Sequence, residues 1–159
     1  MINVTFIVVG GLKESYLREG VAEYMKRLSG FCRPMTVELK EHKLPDAPSD
    51  GEIAAALEAE AEKILAAVPP RAYKVAFCVE GKQYPSEKLA RLIDDACMEH
   101  SDICFIIGSS FGLSPEIKAL SDFKLSFSPM TFPHQLMRVM LLEQIYRAFQ
   151  INNNGKYHK

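Results

Sequence analysis

No apolar run in this sequence approaches the roughly 20 residues that a membrane-spanning helix needs. The first ten residues also lack the basic stretch that opens a secretory signal peptide, and they reach Gly10 and Gly11 too soon for one. We therefore expect no membrane partner, and we interpret Ile2–Val9 as a buried strand. The chain has no internal repeat, low-complexity stretch or linker, so residues 1–159 are predicted to form a single domain.

Cysteine is scarce and has no metal-binding spacing. The four cysteines are Cys32, Cys78, Cys97 and Cys104; they include no CxxC pair, and no histidine lies at ligand spacing from them. Three of them lie in apolar segments, which is typical of buried free thiols. We therefore expect no metal site, and we expect a cytoplasmic protein, since free thiols belong to a reducing compartment.

Neither sign of charge is in excess, because 19 Lys and Arg residues stand against 20 Asp and Glu residues. The distribution is uneven, however. Residues 133–159 hold a single acid, Glu143, and the bases Arg138, Arg147, Lys156 and Lys159. This segment is the predicted RNA-binding part, and a dimer would double its cations. For Arg147 an alternative is equally expected, because Glu143 lies four residues before it and favours a helical ion pair.

Apolar strands alternate with amphipathic helices, which predicts an α/β fold with a mostly parallel sheet. The predicted strands are Ile2–Val9, Met35–Leu39, Val75–Val79, Ile103–Ile107 and Lys124–Phe127. The predicted helices are Ser15–Leu28, Glu52–Val68, a helix capped by Ser86, a short helix from Pro115 to about Leu120, and Pro133–Gln150. Ser49 or Asp50 is the predicted cap of the second helix and Ser114 that of the fourth. The fully apolar strand Ile103–Ile107 is typical of the middle of a parallel sheet.

The last predicted helix, Pro133–Gln150, is apolar almost all round. A helix of this kind must be buried on nearly all sides, although the last helix of a small domain usually lies on the surface. Contact with a second subunit would explain the pattern. The residues after it, Ile151–Lys159, are predicted to form a polar tail.

The loop after the fourth strand, Gly108–Gly112, lies where α/β folds bind ligands. It matches neither the dinucleotide fingerprint nor the P-loop. It does match GxSxG, the nucleophile elbow of serine hydrolases, and Ser110, Asp122 and His134 follow the chain order of that triad. A serine hydrolase is therefore one alternative function, although the chain lacks the larger sheet of that fold. For His134, which follows Pro133 at a helix start, a structural role is also expected.

The C-terminal third carries a more specific pattern. Residues 125–138 read LSFSPMTFPHQLMR, residues 141–148 read LLEQIYRA, and the chain ends in KYHK. Further matches are VVG at residues 8–10, EY at 23–24, EAEKIL at 60–65 and GK at 81–82. With these motifs the sequence resembles, over its whole length, the ribosomal large-subunit pseudouridine methyltransferase family (RlmH), which lies within the SPOUT class of RNA methyltransferases.

This resemblance implies helices on both faces of the sheet and a deep trefoil knot near the C-terminus, even though backbone knots are rare. It also implies a homodimer in which the last helix contacts its mate, and a cofactor, S-adenosylmethionine, bound by the loops around the knot. The implied reaction is methylation of N3 of a pseudouridine in large-subunit (23S) ribosomal RNA on the assembled ribosome. A non-catalytic ribosome-binding module of the same fold is the alternative.

The resemblance also implies the cofactor site. Its predicted residues are Phe77, Gly108, Phe127, Ser128, Pro129, Met130, Thr131 and Phe132. Core packing is the alternative for the large apolar ones, and loop capping is the alternative for Ser128 and Thr131. Ser109 departs from the family, where a second glycine is usual, and serine fits only if its φ is negative. Pro129 also departs, and it removes an amide donor.

The C-terminal tail carries the implied catalytic residues. His158 is the predicted base that takes the N3 proton, because its ordinary pKa lies near neutrality. Tyr157 is predicted to stack on the target base or hydrogen-bond to it, and Lys159 to hold a phosphate or carbonyl oxygen. A disordered tail is the alternative for all three residues.

Overall fold

The computed structural model describes residues 1–157, which form a five-stranded sheet and five helices. The strands are β1 (Asn3–Val9), β2 (Arg33–Leu39), β3 (Tyr73–Gln83), β4 (Asp102–Ile107) and β5 (Phe123–Ser126). The helices are α1 (Ser15–Leu28), α2 (Asp50–Ala67), α3 (Ser86–Glu99), α4 (Pro115–Leu120) and α5 (His134–Asn152). The strand order is β2-β1-β4-β3-β5, and every pair is parallel. The predicted α/β fold is confirmed, and β4 is the central strand.

Both faces of the sheet are covered by helices, as the resemblance implied. Successive residues of a strand point to opposite faces. Val4, Phe6 and Val8 of β1 therefore contribute to a core with α1, α3 and α5, whereas Ile7 and Val9 contribute to a second core with α2 and α4. Residues of β4 divide in the same way between the two cores. The central strands are thus buried on both sides, which explains their continuous apolar sequence.

Two helices begin where the sequence predicts. The hydroxyl of Ser49 accepts a hydrogen bond from the amide of Glu52 (3.1 Å), and the Glu52 carboxylate accepts one from the amide of Ser49 (3.2 Å). This capping box starts α2. Ser114 starts α4 by accepting from the amide of Ile117 (3.2 Å). In both cases a polar side chain satisfies an amide that the first turn leaves without a partner.

The predicted cap of α3 was wrong. Pro85 occupies the cap position, and Ser86 is the first helical residue. The Ser86 hydroxyl instead donates to the side-chain oxygen of Gln144 in α5 at 2.9 Å. The hydroxyl therefore ties two helices together, and the start of α3 has no side-chain cap.

β3 continues beyond its predicted end at Val79. Phe77 and Lys82 both pair with Leu125 of β5, so the segment Cys78–Gly81 bulges out of the ladder. A Cβ on Gly81 would lie 2.6 Å from the backbone carbon of Leu125, so only glycine allows the two strands to approach here. The sequence prediction ended the strand early because this bulge interrupts the apolar pattern.

The apolar helix α5 lies against α1 and α3 of its own chain. Leu141, Ile145 and Ala148 are fully buried there, and no residue from His134 to Asn152 is fully exposed. A single subunit therefore explains much of the all-round apolar pattern, and the homodimer stays a prediction. Within residues 1–157 no helix is long and apolar enough to cross a membrane.

The four cysteines are free thiols, as predicted. Cys32 and Cys104 are buried, and burial raises the pKa of each thiol to about 12. Cys78 and Cys97 are only half-buried, which corrects the prediction of burial for these two.

Candidate active site

A cavity of about 580 Å³ lies at the carboxyl ends of β3, β4 and β5. This edge is where open α/β sheets bind ligands, and the volume lies within the range of about 300–1,000 Å³ that is usual for cofactor sites. The bulged segment of β3, the β4–α4 loop, the β5–α5 loop and the start of α5 form its walls. The lining residues are Phe77–Glu80, Ile107–Gly112, Lys118, Ser126–Ser128, Met130–His134 and Met137.

The cavity brings together seven of the eight residues predicted to bind the cofactor. These are Phe77, Gly108, Phe127, Ser128, Met130, Thr131 and Phe132. Pro129 is the exception, since it lies between two lining residues without lining the cavity itself. Three separate segments of the sequence thus meet at one edge of the sheet. Their role in binding stays a prediction.

Aromatic and other apolar side chains form the walls. The rings of Phe77 and Phe127 meet edge to face, with centroids 4.7 Å apart, and both rings pack at the border of the larger core. Met130 and Phe111 remain 70% and 46% exposed at the cavity. The core-packing alternative is therefore wrong for Met130. Exposed apolar groups around a concave site are typical of a surface that a ligand covers.

The β4–α4 loop is a tight turn that requires glycine at Gly108. A Cβ on Gly108 would lie 2.2 Å from the carbonyl oxygen of Gly112. The amide of Gly112, whose φ is +85°, donates to the carbonyl of Ser109 at 2.9 Å and closes the turn. The atoms that exclude a Cβ at Gly108 therefore belong to the turn and the adjoining Leu113. Ser109 has no positive φ, so serine is accommodated there without backbone strain.

The β5–α5 loop is held by two serines. The Ser126 hydroxyl donates to the carbonyl of Ser128 at 3.2 Å, and the Ser128 hydroxyl accepts from the amide of Met130 at 3.0 Å. The loop-capping role considered for Ser128 is therefore confirmed. These bonds fix the loop that carries most of the predicted cofactor residues.

The sequence prediction missed the polar side of the cavity. Glu80 on the bulge forms an ion pair with Lys118 of α4, and both line the cavity. The hydrogen bond from Lys118 lowers the pKa of the Glu80 carboxyl below its ordinary value. Cys78 also lines the cavity, and burial raises the pKa of its thiol. A glycine that interrupts an apolar strand, Gly81, was the one sequence signal of the bulge that brings these residues in.

The serine hydrolase triad is not assembled. Ser110 and His134 both line the cavity, but Asp122 does not. Asp122 accepts a hydrogen bond from the amide of Lys74 (2.8 Å) and pairs with its ammonium group (3.0 Å). Burial raises the pKa of the Asp122 carboxyl, but these bonds outweigh it and lower the pKa overall. Asp122 therefore holds the starts of β3 and β5 together, at the opposite end of the sheet from the cavity.

Arg138 is not on an RNA-binding surface, which corrects the prediction. Its side chain is buried, and the residue as a whole is 4% exposed. The guanidinium group donates to the carbonyl oxygen of Gly10 and, at 3.1 Å, to the carboxylate of Glu38. A guanidinium group buried in this way is not accessible to an RNA phosphate. Arg138 instead fixes the start of α5 to the carboxyl ends of β1 and β2.

Arg147 forms the ion pair that was its alternative prediction. Its guanidinium nitrogens lie 3.1 and 2.7 Å from one carboxylate oxygen of Glu143, and the Glu143 hydrogen bond raises the pKa of Arg147. Lys156 is exposed, as an RNA contact requires. Lys159 and His158 lie outside the described residues.

Tyr157 is held against α5, so the disordered-tail alternative is wrong for this residue. Its ring lies 5.0 Å from that of Tyr146 and 4.7 Å from the guanidinium carbon of Arg147, and its hydroxyl donates to Glu143 at 3.2 Å. Burial, together with a hydrogen bond to Tyr24, raises the pKa of Tyr157 to about 12. Tyr157 does not line the cavity of its own subunit.

Almost the whole sequence matches a single protein family. Residues 2–158 match the family described as "Predicted SPOUT methyltransferase". This chain belongs to the SPOUT methyltransferase family. A relative from Streptococcus thermophilus (strain ATCC BAA-491 / LMD-9), named "Ribosomal RNA large subunit methyltransferase H", is 49% identical over 159 residues, which are 99% of this chain and 100% of the relative. The resemblance inferred from the sequence motifs is confirmed.

Solved structures of this SPOUT methyltransferase's neighbours share its fold. A probable methylase family protein from Haemophilus influenzae Rd KW20 has a TM-score of 0.53 and 16% identity, covering 99% of this chain and 70% of that one. The protein described as "putative methyltransferase Lpg2936" from Legionella pneumophila, solved with bound cofactor SAM, has a TM-score of 0.50 and 12% identity, and the match covers 95% of this chain and 66% of that one. At such low identity these likenesses establish the fold alone.

Proposed function

We propose that this protein transfers the methyl group of S-adenosylmethionine to N3 of a pseudouridine in 23S ribosomal RNA, on the assembled ribosome. The observation that carries the proposal is the cavity, whose lining includes seven of the eight residues implied by the family pattern. The name of the Streptococcus thermophilus relative supports large-subunit ribosomal RNA as the substrate, because the two chains are 49% identical over their whole length.

The residues at the cavity fit S-adenosylmethionine. Phe77, Phe127 and Met130 offer apolar surface for an adenine ring, and the backbone of the two loops offers amides and carbonyls beside it. Glu80 and Lys118 supply charged groups for the polar parts of the molecule. The bound cofactor would supply an electrophilic methyl group. The protein then has to hold the target base in line with that group and to exclude water, which is mainly a matter of positioning.

His158 is the proposed general base. The N3 proton of a uracil-type ring must leave during transfer, and a histidine with an ordinary pKa near 6.5 accepts protons at neutral pH. Tyr157 is a poor base because its pKa is raised to about 12, so its hydroxyl stays protonated and acts as a hydrogen-bond donor. Lys156 and Lys159 are proposed phosphate contacts. Arg147, which is tied to Glu143, is proposed only as a secondary contact.

The proposed active form is a homodimer of knotted subunits in the cytoplasm. A second cavity of about 530 Å³ runs beside α5 and is lined by Val139, Met140 and Leu89, among others. Phe127 lines both cavities, so a mate seated there would adjoin the cofactor site. Tyr157 does not line the cavity of its own subunit, and we propose that the tail serves the cavity of the mate. Light scattering should give twice the mass of the 17.8 kDa chain.

Cofactor binding is the first test. Isothermal titration with S-adenosylmethionine should give saturable binding. A thermal melt at about one hundred times the dissociation constant should show stabilisation of roughly 2.7 kcal/mol, a shift of about 5–10 °C. No binding at millimolar ligand would reject the proposal.

Methyl transfer is the second test. Ribosomes whose RNA lacks the modification are incubated with the enzyme and methyl-labelled cofactor, in parallel with separated subunits and naked 23S RNA. We expect label in 23S RNA from whole ribosomes, recovered as N3-methylpseudouridine by nucleoside mass spectrometry. Label in another nucleoside would reject the target, and equal label in naked RNA would reject the assembled ribosome as substrate. The variant His158→Ala should bind cofactor normally and lose most turnover; normal turnover would exclude His158 as the base.

A further inference from the structure

The carboxylate of Glu60, outside the predicted site, is buried against the Gly108–Gly112 turn. Glu60 of α2 is 4% exposed. One of its oxygens accepts a hydrogen bond from the Ser109 hydroxyl at 3.1 Å, and the other accepts one from the amide of His42 at 2.9 Å. Burying a carboxylate is costly unless its oxygens are hydrogen-bonded, so both bonds are needed to keep Glu60 where it is.

The bond to Ser109 connects α2 to the turn that lines the cavity. Ser109 is 6% exposed and lies between Gly108 and Ser110, both of which line the cavity. The turn closes on itself by the bond from Gly112 to the Ser109 carbonyl. The Ser109 hydroxyl thus anchors the turn to α2 through a side chain.

The bond to His42 connects the same carboxylate to a third segment. His42 lies in the loop between β2 and α2, and its amide has no strand partner there. The two carboxylate oxygens of Glu60 therefore bind two different loops, while the backbone of Glu60 is fixed in α2. A rigid helix that anchors a loop through a side chain is a usual way to hold a site in its binding geometry.

We propose that Glu60 is a positioning residue for S-adenosylmethionine, which holds the Gly108–Gly112 turn in its binding conformation through Ser109. This inference rests on the proposed function for the identity of the ligand. It also assigns a role to the serine at position 109, because the Ser109 hydroxyl is the group that contacts the buried carboxylate.

The main test is Ser109→Ala, which removes the hydroxyl and leaves the backbone unchanged. Loss of one hydrogen bond to a charged group should weaken cofactor binding about ten- to a hundredfold by isothermal titration. In the methyl-transfer assay, KM for the cofactor should rise by a similar factor while kcat at saturating cofactor changes little, because the turn recovers its position once the ligand fills the site.

The matched control is Ser49→Ala. This change removes a serine hydroxyl that caps the same helix but does not contact the turn. It should lower the melting temperature by about 1–8 °C and leave cofactor affinity unchanged at temperatures where the protein is folded. A general loss of stability in α2 is thereby separated from loss of the anchor.

Two substitutions of Glu60 test whether a conservative change restores cofactor affinity. Glu60→Ala should weaken binding at least as much as Ser109→Ala. Glu60→Gln should restore most of the affinity, because its carbonyl can accept from His42 while its amide donates to the Ser109 hydroxyl. The double variant Glu60→Gln, Ser109→Ala should lose that restoration.

The outcomes separate this inference from the proposed function. Wild-type affinity in Ser109→Ala, with a melting shift like that of Ser49→Ala, would overturn the positioning role and leave the cofactor assignment in place. An affinity loss in Ser49→Ala as large as in Ser109→Ala would also overturn it. Absence of binding by the wild-type protein would overturn the cofactor assignment, and this inference with it.

Discussion

The turn at Gly108 offers the sharpest test of how the cavity is built. In Gly108→Ala the new methyl group would lie 2.2 Å from the carbonyl oxygen and 2.5 Å from the carbonyl carbon of Gly112, and 3.0 Å from Leu113. The first two neighbours are backbone, so no side chain can rotate away. The turn therefore has to open by about 1 Å, which is the scale on which packed interiors resist insertion.

The expected loss of stability in Gly108→Ala follows from these contacts. Overpacking by one methyl group costs about 1–3 kcal/mol, and weakening of the bond from Gly112 to Ser109 adds about 1 kcal/mol. The melting temperature should fall by about 4–15 °C. Because a 1 Å misplacement in a site can cost about a hundredfold, we expect cofactor affinity to fall at least about tenfold.

Gly51→Ala provides the matched control, since it adds the same methyl group in the first turn of α2. The nearest atom to that methyl is 3.9 Å away, so the change should be neutral or stabilise the fold by up to about 1 kcal/mol. The two variants are compared by thermal melting and by isothermal titration with S-adenosylmethionine. If Gly108→Ala melted and bound like the wild type, the reasoning from the close approach of Gly112 would be wrong.

Three further predictions concern buried or half-buried residues. Arg138→Met should lower the free energy of unfolding in urea by about 1–3 kcal/mol, because it leaves the buried carbonyl of Gly10 without its partner. Unchanged stability with weaker ribosome binding would instead identify Arg138 as an RNA contact. Since its pKa is raised to about 12, Tyr157 stays protonated below that pH, so Tyr157→Phe should leave the pH profile of methyl transfer unchanged in shape from pH 6 to 10. If the high-pH side of the methyl-transfer profile changed in that variant, the claim that Tyr157 stays protonated would be contradicted. With thiol pKa values of about 12, Cys32 and Cys104 should react with iodoacetamide at pH 8 roughly a thousandfold more slowly in the native than in the unfolded protein, as mass spectrometry can measure; equal rates would show that these thiols are not buried.

The sequence by itself determined the local structure and the class of the protein. The capping box at Ser49 and the serine–proline start of α4 act within one turn of a helix, so their effect can be read without knowing the fold. The apolar run of β4 identified the central strand for the same reason. The two loops predicted to bind the cofactor came from the family resemblance, and strand ends in a parallel sheet meet at one edge.

The tertiary structure alone decided which charged groups are free to act. Arg138 is one of the few bases in its segment, yet it is buried because Gly10 and Glu38, about a hundred or more positions earlier, meet it at the start of α5. Asp122 faces Lys74 at the end of the sheet opposite the cavity. Ser109 meets Glu60 across 49 positions. Such partners are set by strand order and by the packing of helices on the sheet, and no local pattern contains that information, because the free energy of a buried charge depends on what surrounds it in space.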